Sequence, residues 1–326
     1  MSFEPYEFAK VVLIKSLSDL HPGTGRGGEV VDLTVQRDSV GFPVIFGSSI
    51  KGSIKSALYH KDKSLVNLLG PEPAEEEKYS SPIAVMTAYL LSFPVRSLKG
   101  IYTNVTSPFL LRRFANYLGA ASVLNEEYSK TAEIIKRIAD TPEKFPATEG
   151  FSSRHVVEGL NEAILCEEVG ISKGSISEKD EMDELRGSIG LDGSESLISL
   201  DDNLAKDLIE KSLVRVTRIR IDRDRKTVTG GGLWTEEAIP AGAIFATVFL
   251  AYSKEYLSNI MESVERKEGV SENKWKEVKE KYFRDKRTPV DVVLDEVKYL
   301  IIGGDESIGR GVVELREMQP WKKEVQ

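Results

Sequence analysis

Residues 21–38 read HPGTGRGGEVVDLTVQRD, directly after an apolar run, FAKVVLIKSL at 8–17. The run is rich in Val, Ile and Leu and is expected to form a buried strand. Glycines at 23, 25, 27 and 28 then stop regular packing. Lacking a Cβ, they suit a backbone that something must approach closely. A chain built this way sends its first strand into the interior and presents Asp32 from a glycine-rich segment at a surface.

The remaining pattern is mixed. SSIKGSIKSALYH (48–60) sets Ile50, Ile54, Ala57 and Leu58 on one face, which predicts an amphipathic helix with Ser48 or Ser49 as N-cap. IAVMTAYLLSFPV (83–95) reads as a strand region, and SPFLLRRFANYLG (107–119) as a helix stopped by glycine. Residues 120–212 are more polar, helical or irregular, and read as an insertion on the core. LVRVTRIRID (213–222) alternates, with Ile219 and Ile221 on one side and Arg218, Arg220 and Asp222 on the other. With KTVTGGGLWTEEAIP behind it, 213–240 is expected to be a projecting two-stranded hairpin. AIFATVFLAY (243–252) reads as a strand, VDVVLDEVKYLI (290–301) as a helix and GRGVVELREM (309–318) as a last strand. The connections are too irregular for a parallel doubly wound sheet. The expected fold class is α+β, one domain over 1–326 with a ferredoxin-like βαββαβ core.

Composition narrows the function classes. With 326 residues, 40% of them hydrophobic, the chain can bury a sizeable core. It has no long apolar run and no basic, apolar leader, so a soluble cytoplasmic protein with no membrane partner is expected. One cysteine, Cys166, and histidines at 21, 60 and 155 give neither a disulfide nor a structural zinc site. The net charge of −8 argues against a surface that grips polyanions everywhere. Acid gathers at Glu72, Glu75 to Glu77 and in SEKDEMDELR (177–186). RVTRIRIDRDRK (215–226) holds six Arg or Lys against two Asp, which leaves room for a local RNA groove.

Several segments carry chemistry. GSSIKG (47–52) opens a helix beside Lys51, with Lys55 one turn on; free N–H groups and an ammonium make a phosphate site, although a solvated capped helix explains the same residues. GGDESIGRGVV (303–313) is not a nucleotide-hydrolysing P-loop, because Arg310 and Gly311 stand where Lys and Ser or Thr are needed. It reads as a tight turn that lets another chain or a phosphodiester come close. In FPVRSLKG (93–100), Arg96 and Lys99 can pair with successive phosphates, and a solvated turn explains them equally. Asp32 can hold a divalent metal or polarise a hydroxyl, against a general expectation that loop acids serve turns and caps.

In chain order, HPGTGRGGEVVDLTVQRDSVGFPVIFGSSIKGSIKSAL, FPVRSLKGIYTNVTSPFLLRRF and IGGDESIGRGVV resemble three signatures of the RAMP superfamily of type III CRISPR effector complexes. The resemblance points to the repeated backbone subunit of the Cmr (type III-B) complex and spans residues 21–313. It implies an RRM-like palm, a thumb-like hairpin, and copies stacked as a filament along a guide (crRNA) with other Cmr-type subunits. Target RNA is then cut beside flipped bases at regular intervals, with a divalent metal ion, Mg or Mn, bound together with RNA. It places the catalytic and metal-holding aspartate at Asp32 and a supporting histidine at His21. Glu236 and Glu237 resemble acids of the family's arm, and Glu237 joins the catalytic candidates. Arg37, Ser48, Ser49, Lys51, Lys55, Arg96, Lys99, Arg218, Arg220, Gly309 and Arg310 become candidate RNA contacts. Three functions stay open: a guide-dependent endoribonuclease, a non-catalytic RNA-binding backbone, and, last, a phosphate-binding metabolic enzyme.

Overall fold

A computed structural model describes residues 3–26, 31–72, 78–268, 275, 278, 280 and 287–321; Gly27, Gly28 and the Glu75 to Glu77 run lie outside them. Strand Tyr6–Ser16 forms the middle of a large sheet. Ile244–Tyr252 flanks it on one side, with Val12 opposite Thr247, and Val312–Glu317 on the other, with Ile14 opposite Leu315, both antiparallel. Val11, Val12, Leu13 and Ile14 are each at most 2% exposed. Val12 and Ile14 pack with Ile50, Ile54 and Leu58 of helix Gly47–Lys61. Val11 and Leu13 pack with Leu111, Phe114 and Leu118 of helix Pro108–Ser122 and with Ile135 and Ile138 of helix Glu127–Asp140. A strand covered on both faces has no use for polar alternation, which is why Val11 to Ile14 at its centre form an unbroken apolar run. Each such side chain contributes about 1.5–3 kcal/mol on burial.

From Ile244–Tyr252 the sheet continues through Ala88–Ser97 and Glu162–Leu165 to Val169–Ser172; beyond Val312–Glu317 it ends in Tyr299–Ile301. Ile101–Thr106 also pairs with Ala88–Ser97, and Leu197–Ser199 runs parallel to it. The polar stretch 120–212 thus carries helices Glu127–Asp140, Asp180–Ser188 and Asp202–Ser212 together with strands that pair with the large sheet. The architecture is α+β.

Some boundaries differ from those the sequence suggests. Helix Pro108–Ser122 passes through Gly119, because Leu118 and Ala121 are buried against its neighbouring helix. The 290–301 stretch divides. Thr288 and Asp291 form a reciprocal capping box that starts helix Pro289–Glu296, and Tyr299–Ile301 then joins the last strand of the sheet. Cys166 is buried, its sulfur 3.4 Å from Ser212 Oγ. No described helix is long and apolar enough to cross a membrane.

A second, four-stranded sheet carries the arm. Val214–Ile221 and Val228–Ala238 are antiparallel, with Ile219 opposite Leu233. The second of these meets the glycine segment through a parallel pairing of Glu236 with Leu33, and Leu33–Val35 in turn pairs with Gly23–Arg26. Along the arm Ile219, Ile221, Val228 and Leu233 are each more than half exposed.

Candidate cleavage site and nucleic-acid interface

Asp32 lies where the glycine hairpin meets the arm. It is exposed, and its Oδ2 accepts the Thr235 N–H at 2.8 Å. Its other oxygen makes no hydrogen bond among the described residues. His21, at the start of the segment, is buried, and its Nδ1 donates to the Glu237 carbonyl at 2.6 Å. The carbonyl can only accept, so that contact fixes the proton on Nδ1. Glycine is needed around it for steric reasons. A Cβ on Gly303 would lie 2.2 Å from His21 O, and one on Gly23 would lie 2.8 Å from His21 Nε2. The terminal glycine loop thereby seats directly on the His21 turn, and the Gly304 N–H donates to His21 O at 3.0 Å.

Two buried acids lock the root of the arm. Glu237, 1% exposed, accepts from Arg37 Nη2 at 2.8 Å and Arg215 Nη2 at 3.1 Å, and Arg37 also holds Glu210 at 2.7 Å. Glu236, 4% exposed, accepts from Arg218 Nε at 2.9 Å, Arg310 Nη1 at 2.7 Å and Trp234 Nε1 at 2.7 Å. Arg310 is itself buried and also holds Asp305 at 2.7 Å. Burial pushes the Glu236 carboxyl upward, but these hydrogen bonds outweigh it and hold the group below the usual carboxylate range. Arg37, Arg218 and Arg310 are therefore committed to carboxylates of this chain, and both Glu237 oxygens are occupied by guanidinium groups. Arg220, farther out on the arm, is exposed. Gly309 is exposed in the left-handed region, with φ of 84°.

The phosphate candidate is built differently from the expected capped helix. The Gly47–Lys61 helix starts at Phe46 with no side-chain cap of its own, so both Ser48 and Ser49 lie inside its first turn. Gln36 reaches across from the glycine segment instead. Its Oε1 accepts the Phe46 N–H at 2.7 Å and its Nε2 donates to Ser49 Oγ at 3.0 Å. Ser48, Lys51 and Lys55 line a cavity of about 410 Å³. Lys55 donates to Pro71 O at 3.1 Å and to Glu72 at 3.3 Å, whereas Lys51 has no carboxylate partner among the described residues. Burial, and then the Lys55 ammonium, hold the Lys51 amine below its ordinary value. A bound anion offsets both effects.

Arg96 and Lys99 sit elsewhere. Ala88, beside the helix start, pairs with Ile45, and Arg96 is eight residues farther along the same strand, roughly 26 Å away at strand rise. Arg96 pairs with Glu167 at 3.2 Å, and Lys99 donates to Val156 O at 3.1 Å. Arg96 opens instead onto a separate cleft of about 750 Å³ with Lys15, Tyr102, Glu195 and Lys211. Sequence order does not bring these two cations to Lys51, and it does not single out Gln36. The signal for Gln36 was a lone amide in VDLTVQRD between apolar and charged residues.

For a divalent ion, the described residues hold no cluster of three His, Cys, Asp or Glu side chains. Asp32 offers a single carboxylate, half engaged by Thr235. These residues do not by themselves fit a metal.

The RAMP superfamily signature matches residues 13–314. The chain belongs to the RAMP superfamily. Among RAMP proteins it is 30% identical over 332 residues to the CRISPR system CMR subunit Cmr4 of Saccharolobus solfataricus, covering 95% of this chain and 97% of that one. It is 30% identical over 322 residues to the CRISPR system Cmr endoribonuclease Cmr4 of Pyrococcus furiosus, covering 94% and 95%. A RAMP chain in the type III-B Cmr-beta complex bound to cognate target RNA superposes with a TM-score of 0.73 at 28% identity, over 96% of this chain and 98% of that one. Oligomeric Cmr4 from Pyrococcus furiosus gives 0.57 at 28% identity, over 96% and 100%.

Proposed function

We propose that this chain is the guide-RNA-binding backbone subunit of a type III-B Cmr complex, cleaving complementary target RNA at regular intervals. Copies of it stack along the guide in the cytoplasm with the other Cmr subunits. The large sheet and its helices act as a ferredoxin-like palm, and Val214–Ala238 as a thumb that parts guide from target. The placement of Asp32 carries this reading: an exposed carboxylate fixed at the foot of the arm, where a nucleotide displaced by that arm would lie.

Displacing a nucleotide frees its 2′-hydroxyl from A-form geometry, so the oxygen can line up with the adjacent phosphorus. The second carboxylate oxygen of Asp32 accepts the 2′-hydroxyl proton as the 2′-oxygen attacks phosphorus. The P–O5′ bond breaks and the departing O5′ takes a proton from water, leaving a 2′,3′-cyclic phosphate and a 5′-hydroxyl. Alignment supplies much of the rate, so one carboxylate suffices. His21 shapes the backbone behind Asp32 through Glu237 O, and Glu237 anchors the arm rather than exchanging protons. A divalent ion at Asp32 would draw its remaining ligands from RNA oxygens. Reconstituted with guide and complementary target, the chain should give a ladder of evenly spaced products. An intact filament with no ladder would overturn the nuclease in favour of a non-cutting backbone. The Asp32–Thr235 hydrogen bond favours that second reading, because it already gives Asp32 an architectural use.

Guide phosphates are taken by the open start of the Gly47–Lys61 helix with Lys51. Lys51→Ala is expected to weaken RNA binding alike for all guide sequences and to lower the slope of log affinity against log salt by about one. A sequence-selective loss, or an unchanged slope in a salt titration, would count against the phosphate contact.

A further inference from the structure

Gln36 is 6% exposed and fully engaged. Besides Phe46 N–H and Ser49 Oγ, its side chain holds Gly23 O at 3.4 Å. Its backbone N–H donates to Pro22 O at 2.7 Å, and its carbonyl accepts from Val44 N at 3.0 Å. A buried amide with every group satisfied keeps one orientation. It joins the base of the glycine hairpin to the first turn of the Gly47–Lys61 helix, a helix that has no side-chain cap of its own. From Gln36 the strand Leu33–Val35 leads straight to Asp32, roughly 13 Å away at strand rise. At that far end the Thr235 N–H holds Asp32. The segment bearing Asp32 is thus pinned at both ends, to the arm at one and to the helix at the other.

We infer that Gln36 is a positioning residue for RNA cleavage: it sets the Asp32 strand in one frame with the helix N-terminus that takes a guide phosphate. The inference rests on the nuclease proposed above. With the guide seated at the helix, the amide transmits that position to the strand, and the carboxylate meets the target phosphate in register. Displacement of a catalytic group by about 1 Å costs on the order of 100-fold in rate, so loss of this bridge is felt at a distance.

The test uses assembled complexes with guide and target at saturation. Gln36→Met keeps the volume and removes every side-chain hydrogen bond. Gln36→Glu still accepts from Phe46 N–H and from the Ser49 hydroxyl, and loses the donation to Gly23 O. Single-turnover cleavage is expected to slow roughly 10- to 100-fold in Gln36→Met, with guide affinity and filament yield at the parent's level, and to recover part of the way in Gln36→Glu. A general loss of folding lowers affinity, yield and rate together, and that outcome would overturn the positioning role. So would parental rates in both variants. Asp32→Asn is run beside them: if it cuts normally the catalytic assignment of Asp32 fails, and with it the group that Gln36 is said to position, whereas a dead Asp32→Asn beside a normal Gln36→Met sinks only the inference about Gln36.

Discussion

Replacing Asp32 by Asn in the assembled complex is expected to slow target cleavage roughly 10²- to 10⁴-fold, with guide and target binding unchanged. The substitution separates charge from architecture. Asn keeps an Oδ1 that can accept the Thr235 N–H now held at 2.8 Å, so the junction between glycine hairpin and arm survives. What disappears is the proton-accepting oxygen. Asp32→Ala removes both and serves as the contrast. If Asn cuts like the parent and only Ala fails, the hydrogen bond to the arm matters and the charge does not, and Asp32 is a structural residue. The measurement is a single-turnover time course on one labelled target, with filament integrity checked on the same samples.

Glu236→Ala is expected to cost about 3 kcal/mol of stability, because it leaves Arg310 buried with one of its two carboxylates gone. In a chain of this size that corresponds to a fall in Tm of about 4 °C. The desolvation of Arg310 drives the loss more than the ion pair itself, so Glu236→Leu combined with Arg310→Met should recover most of it. No recovery in the double variant would mean that Trp234 and Arg218 carry the interaction. A pH signature follows. The folded Glu236 carboxyl lies below its ordinary value, so its stabilisation is complete above the unfolded range near 4.3 and is lost as pH falls through the folded value. The Tm of the parent should therefore drop more steeply below about pH 4 than that of the double variant.

Local features were legible from the residues. The two-sided apolar strand, the helix behind GSSIKG and the Arg/Ile alternation of the arm each express a period that the side chains carry themselves. What the sequence hid was pairing at a distance. Arg37 and Arg310 look like free cations in a linear reading, because Glu236 and Glu237 are far from both along the chain; Arg218 meets Glu236 within the arm itself. The pairs of Arg37 and Arg310 exist only once the arm, the glycine hairpin and the terminal loop converge. Ser48 and Ser49 are natural caps by type, yet the cap position falls at Phe46, whose own N–H is taken by an amide from another segment, Gln36. Arg96 and Lys99 shared a motif with basic neighbours, but a strand carries its residues away at a fixed rise, and they finish at the opposite end from Lys51. The strands within 120–212 are short and pair with distant partners, so their contribution to the sheet has no local signature.

The contact of Gly303 with His21, like the seating of Tyr6–Ser16 between Ile244–Tyr252 and Val312–Glu317, bears on how the molecule is made. On the ribosome, the segment presenting Asp32 emerges well before the loop around Gly303 that backs it and before the strands Ile244–Tyr252 and Val312–Glu317 that hold its base. A nascent chain cannot shape this surface piece by piece; it must wait until Val312–Glu317 has emerged. A product that ends before Gly303 carries Asp32 without the backbone that aims it, so termination there yields an inert fragment rather than a stray nuclease.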